Sequence, residues 1–210
     1  MTRQAQHPAL KYGKQADRPS TYNRDIGFMH CRSFCAICLC VGLPYNPQQK
    51  KMPAHLPPQI ASYPALGEAA MAAIAQALAH HVRTGDVVFL WGDLGAGKSA
   101  FARALLRGLQ VTEDIPSPTY TLAQHYPQAK IPAVHADLYR LRSAAEAEEL
   151  GLAELAADHI LLIEWPDRLG GLWQDVALHV VLDFGASPDS RRMDVHGGND
   201  WAGRWATIQA

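Results

Sequence analysis

Residues 87–99 read Val87-Val-Phe-Leu-Trp91 followed by Gly92-Asp-Leu-Gly-Ala-Gly-Lys-Ser99, and Ala102, Leu105, Leu106 and Leu109 then recur at helical spacing. A short apolar run, a glycine-rich G-x-x-x-x-G-K-S loop and an amphipathic stretch, in that order, predict strand, phosphate-binding loop and helix. A glycine turn before an ordinary helix is the plain alternative. The flanking periodicities, which fit strand and helix independently, favour the phosphate loop.

The residue types in the loop suit a polyphosphate. Gly92, Gly95 and Gly97 lack a Cβ, so the backbone can turn left-handed and approach oxygens closely. Successive N–H groups of Gly92, Asp93, Leu94, Gly95, Ala96, Gly97, Lys98, Ser99 and Ala100 then form an anion nest, reinforced by the positive end of the following helix. Lys98 is expected on the β- and γ-phosphates, and the Ser99 hydroxyl on Mg²⁺.

Working outward, Met71, Ile74, Ala75, Leu78 and Val82 mark one face of a helix that Gly85 ends. Downstream, Ile115–Tyr126 predicts a loop leading into a strand: the two prolines bar a helix, and Tyr120, Leu122 and Gln124 alternate with their neighbours. Val134–Leu138 predicts a short strand. Ser143-Ala-Ala-Glu146 is a capping box that starts a helix running to about Ala157. His159-Ile-Leu-Leu-Ile-Glu164 is a continuous apolar run ending in an acid, as in a strand buried on both faces of a parallel sheet. Val176–Phe184 alternates as a strand with one wetter face, and Arg191–Gly197 pairs with it as a hairpin. Strands alternating with helices predict a P-loop NTPase-like three-layer α/β sandwich with a mostly parallel sheet and antiparallel edge strands. The active face then lies at the carboxyl ends of the strands.

Two strands end in acids on that face. Glu164 has the setting of a Walker B acid and would hold Mg²⁺ directly or through water. Asp137 would orient the attacking water, act as base or share the metal shell. Ser117, Thr119 and Thr121 make a hydroxyl-rich loop where a switch segment would sense the γ-phosphate, though a plain proline-rich connector fits as well. Trp165, beside Glu164, would stack on a base, dock a partner or pack in the core. His125 and His135 read as strand or surface histidines. No Asn-Lys-x-Asp guanine signature follows the loop, so ATP is favoured over GTP.

The 210-residue chain has a formal net charge of −1, which argues against an autonomous nucleic-acid footprint, and no apolar stretch reaches the roughly 18 residues of a membrane span. All four cysteines (Cys31, Cys35, Cys38 and Cys40) fall in the first fifth of the chain, with a spacing that fits no standard zinc pattern. Residues 1–58 are expected to be a poorly structured extension or the product of an early start, Met52 being a plausible internal one, and residues 59–210 the ATPase domain. The clustered thiols and the lack of a convincing targeting signal point to the cytoplasm.

The segments Gly-Asp-Leu-Gly-Ala-Gly-Lys-Ser (92–99), Ser-Pro-Thr-Tyr-Thr-Leu (117–122), His-Ala-Asp-Leu-Tyr-Arg-Leu (135–141), Glu-Glu-Leu-Gly-Leu (148–152) and Leu-Ile-Glu-Trp-Pro (162–166) together resemble the bacterial TsaE family, also called YjeE, over roughly Leu66–Trp205. The resemblance implies a small Mg-dependent ATPase required for threonylcarbamoyladenosine formation on tRNA, whose ATP binding and hydrolysis reset the partner complex between cycles; like isolated switch hydrolases, it is expected to be slow alone. It further implies TsaB- and TsaD-like partners, with tRNA met through the complex and no membrane. By the same resemblance Lys98 and Ser99 match the phosphate and magnesium residues, Glu164 the second magnesium-associated acid, Asp137 the strand-end aspartate, and Trp165 the signature tryptophan. Ser99 stands in place of the usual threonine, and Asp167 in place of a frequent glutamate. A small-molecule kinase of the same fold and a nucleotide-sensing module that barely hydrolyses are the alternatives.

Overall fold

The computed structural model describes residues 52–53 and 55–208. The cysteine cluster, and with it most of the expected N-terminal extension, lies outside the described residues.

Seven strands form one mixed sheet. In chain order they are β1 (Gln59–Leu66), β2 (Val87–Trp91), β3 (Ala123–Tyr126), β4 (Ala133–Asp137), β5 (Ile160–Glu164), β6 (Leu178–Phe184) and β7 (Arg191–His196). Their spatial order is β1-β7-β6-β2-β5-β4-β3. The inner four, β6, β2, β5 and β4, run parallel, while β7 and β1 on one side and β3 on the other are antiparallel to their neighbours. This matches the expected parallel core with antiparallel edges.

The parallel strands are apolar without interruption because both faces are covered. Every residue of β2 and of β5 is buried. Alternation still decides which side each residue serves. Val88, Leu90, Ile160, Leu162, Val180 and Leu182 pack in one core with the helices α1 (Glu68–Leu78), α2 (Lys98–Gly108) and α5 (Asn199–Ile208). Val87, Phe89, Trp91, Leu161, Ile163 and Val181 pack in the other, beneath α3 (Ala144–Glu148), α4 (Leu152–Leu155) and a 3₁₀ turn at Pro166–Leu169.

The structure departs from the sequence reading in places that have local causes. The single helix expected from Ser143 to about Ala157 is two short helices. Ser143 does cap α3, accepting from the Glu146 N–H, but Gly151 takes a left-handed φ of 63° and ends the run before α4. The strand expected from Val176 begins at Leu178, because Val176 sits on the exposed turn before it. Leu122 is not part of β3; its φ is 63°, and its N–H closes a turn onto the Pro118 carbonyl at 2.7 Å.

Strand β1 and helix α5 have no counterpart in the sequence reading. α5 docks through Trp201 and Trp205, both buried. At about 25 cal/mol/Å², each ring contributes about 4–6 kcal/mol of transfer free energy as an upper bound. Arg204 fixes the helix, since its guanidinium bonds both Asp86 oxygens (2.5 and 3.1 Å) and lies 3.6 Å from the Trp201 ring centroid.

Candidate functional site

The carboxyl ends of β2, β4 and β5 converge beside the loop at residues 92–97. The loop leaves β2 and enters α2 through Gly97, whose φ is 109°. Gly92 is the tightest position. Its φ is 139°, and a Cβ there would lie 2.3 Å from the Leu182 carbonyl oxygen. Alanine at 92 therefore meets both backbone strain and a backbone atom that cannot move away. Gly92→Ala is expected to cost about 2 kcal/mol or more of stability, read as a lowered denaturant midpoint, and to misplace the loop.

Lys98 folds back over the loop that precedes it. Its Nζ donates to the carbonyls of Gly92 (2.8 Å) and Asp93 (2.9 Å), and it sits 4.1 Å from the centroid of the Trp165 ring. The side chain is only 4% exposed. Burial pulls the ammonium's pKa below its ordinary value, against the opposing fields of Glu164, Asp137 and Asp93. The ammonium is thus held at a desolvated point by two loop carbonyls.

The two strand-end acids lie side by side because β4 and β5 pair in register, Asp137 opposite Glu164. Glu164 is 2% exposed. Its Oε1 accepts from the His135 Nε2–H at 2.9 Å, and its carboxylate also takes the Ser99 hydroxyl. Burial alone would raise its pKa. The His135 bond, Lys98 and Ser99 outweigh burial and hold the carboxyl below the usual range. Asp137 goes the other way, because burial and the adjacent Glu164 charge raise it. The Tyr139 N–H donates to its Oδ1 (3.0 Å) and the Thr119 hydroxyl to its Oδ2 (2.8 Å). Neighbouring acids pushed in opposite directions can divide the labour of charge holding and proton acceptance.

Of the hydroxyl loop, Ser117 and Thr119 join this network: Ser117 Oγ lies 2.9 Å from Thr119 Oγ1, which reaches Asp137. Thr121 is exposed and stands outside it. Trp165 has a left-handed φ of 58° and is 6% exposed, with the Lys98 Nζ over its ring and the Tyr139 ring tilted against it at 5.0 Å. The ring therefore covers the lysine.

His135 is a site residue the sequence reading set aside. It lies two residues before Asp137 on one strand, so alternation puts both side chains on the same face as Glu164. That spacing was the available signal. Among the described residues its Nδ1 is buried without a hydrogen-bond partner.

No group of three or more His, Cys, Asp or Glu side chains among the described residues is arranged to hold a metal ion. The oxygens brought together are instead the Ser99 hydroxyl and the Glu164 carboxylate, a sparse hard-donor pair. It fits Mg²⁺, which keeps most of its shell as water and phosphate oxygen.

Residues 66–193, which span the loop, both acids and Trp165, match the family model described as threonylcarbamoyl adenosine biosynthesis protein TsaE. The chain belongs to the TsaE family. Among curated TsaE proteins, described as tRNA threonylcarbamoyladenosine biosynthesis proteins, that of Haemophilus influenzae is 37% identical over 105 residues, covering 50% of this chain and 66% of that one. The Bacillus subtilis protein is 40% identical over 111 residues (52% and 69%), and the Streptomyces coelicolor protein 35% identical over 143 residues (65% and 95%). The chain thus spans about two thirds of the length of the first of these TsaE relatives. The crystal structure of Bacillus YdiB superposes with a TM-score of 0.60 at 26% identity, covering 74% of this chain and 97% of that one. Among the described residues no helix is long and apolar enough to cross a membrane.

Proposed function

We propose that this TsaE-family chain is a Mg²⁺-dependent ATPase with a P-loop NTPase-like three-layer architecture. It would serve the cytoplasmic machinery that makes threonylcarbamoyladenosine on tRNA. The observation that carries the reading is the convergence of Lys98, Ser99, Asp137 and Glu164 on the glycine loop at one end of the parallel strands.

The loop amides from Gly92 to Ala100 would hold the phosphate oxygens. Lys98 would trade its two carbonyl bonds for the β- and γ-phosphates. Ser99 and Glu164 would hold Mg²⁺, which, when bound, neutralises charge on the phosphate oxygens. Asp137, fixed at both oxygens by Tyr139 N–H and Thr119, would accept the proton of the attacking water as its oxygen bonds to the γ-phosphorus and the bond to the β-phosphate oxygen breaks. Its raised pKa makes it a better base than a free carboxylate. Thr119 and Ser117 would report the state of that site to the surface loop, the side from which TsaB- and TsaD-like partners, and tRNA through them, would be engaged.

Isolated switch hydrolases of this kind are slow, and an arginine from a partner raises their rates by roughly 10³–10⁵. Single-turnover hydrolysis of ATP is the test. Purified TsaB- and TsaD-like partners should raise the rate by an order of magnitude or more. Equal rates with and without partners would contradict a coupled role, and transfer of the phosphoryl group to a small acceptor would make the chain a kinase.

A further inference from the structure

His135 stands in the middle of β4, opposite Gln124 of β3 on one side and Leu162 of β5 on the other. Alternation puts its side chain on the same face as Glu164, one pleat back, and its Nε2 reaches the Glu164 Oε1 at 2.9 Å. A carboxylate only accepts, so this nitrogen carries the proton of the bond. The imidazole is 1% exposed. Its other nitrogen, Nδ1, is buried, and among the described residues it has no partner. A buried polar atom without a partner works against the fold, and an apolar side chain in that place would bring none. What the imidazole adds over such a side chain is the bond to Glu164.

That bond acts on the softest torsion of the glutamate. The carboxylate plane has no staggered well to hold it and turns over a broad range. A donor on Oε1 fixes the plane and thereby sets where the second oxygen points. The Ser99 hydroxyl, which also bonds this carboxylate, is itself one of the oxygens that would meet the ion. His135 acts through the carboxylate.

We propose that His135 is a positioning residue whose Nε2–H aims the Glu164 carboxylate for Mg²⁺. The proposal rests on the magnesium reading above and adds the group that orients its acid. Removing a group that hydrogen-bonds a metal-ligating side chain typically costs about 10- to 100-fold in metal affinity.

Calorimetric titration of the full chain with ATP, in EDTA and over a series of Mg²⁺ concentrations, tests it. His135→Gln and His135→Met have side chains of the same length, and the glutamine alone keeps an N–H for Glu164. Met should raise the Mg²⁺ concentration for half-maximal tightening of ATP by about tenfold or more and leave metal-free ATP binding within about twofold. Gln should hold both values within a few-fold of wild type. Should the Met variant not fold, His135→Asn, polar but too short to reach, carries the same expectation. An unchanged Mg²⁺ requirement in the variant without the bond would overturn the proposal. So would equal losses in Met and Gln, or a fall in metal-free binding as large as the fall with Mg²⁺. Failure of both Met and Asn to fold would likewise overturn it, by making the histidine a residue of the fold. No tightening of ATP by Mg²⁺ in the wild-type chain would overturn the magnesium reading itself, and the positioning role with it.

Discussion

Lys98→Met is expected to weaken nucleotide uptake and turnover strongly while leaving the folded chain at least as stable. Among the described residues, the lost ammonium is the side-chain cation that bonds the Gly92 and Asp93 carbonyls lining the loop. A charge-assisted bond is worth about 1.5–3 kcal/mol, so affinity for Mg-ATP should fall by about ten- to hundredfold. Removing a preorganised charge from the reacting phosphate should cost turnover about 10²-fold or more. Stability follows the opposite sign. Burial lowers the Lys98 pKa, so the unfolded chain binds this proton more firmly than the native chain does. By linkage, stability rises with pH as Lys98 deprotonates through its folded pKa, and the charge is a cost to the fold. Methionine fills the same space without that cost. A melting temperature equal to or above wild type, together with binding weakened by that factor, is the expected pair of results. Loss of both would mean that the lysine serves the fold.

Glu164→Gln should separate metal use from folding. The amide keeps an oxygen for the His135 Nε2–H and for the Ser99 hydroxyl, so the buried strand end remains satisfied. The Mg²⁺-dependent part of nucleotide affinity should disappear, and turnover should fall by about 10²–10³-fold. A second effect has a definite direction. Glu164 is, after burial, the cause that raises the Asp137 pKa. Removing its charge lets Asp137 ionise at lower pH, so the acid limb of the residual activity should move to lower pH. An unchanged magnesium dependence would place the ion elsewhere.

Much of this site was legible in the sequence because its parts are local. The glycine loop, its strand and its helix are contiguous, and Glu164 and Asp137 each end a short apolar run. Parallel pairing then brings the acids together at the expected end of the sheet. What the sequence hid depends on register and on distant contacts. His135 looked like an ordinary strand histidine until β4 and β5 were aligned, after which it lies on the same face as Glu164 and donates to it. Trp165 adjoins Glu164 in sequence, but its left-handed backbone turns the ring onto Lys98. β1 is visible only through its pairing with β7, since its own residues are half exposed. The Asp86–Arg204 pair that fixes α5 joins residues more than a hundred positions apart. Gly151 broke a helix that the capping box at Ser143 correctly started.

The central claim is that main-chain amides and Lys98 grip a polyphosphate beside Glu164. The most direct measurement is calorimetric titration of the folded full chain with ATP, with and without Mg²⁺, in the presence of the TsaB- and TsaD-like partners. One saturable site per chain, tightened by Mg²⁺ and weakened about ten- to hundredfold in Lys98→Met, is the predicted result. No adenine-nucleotide uptake by well-folded protein, even with its partners present, would contradict it.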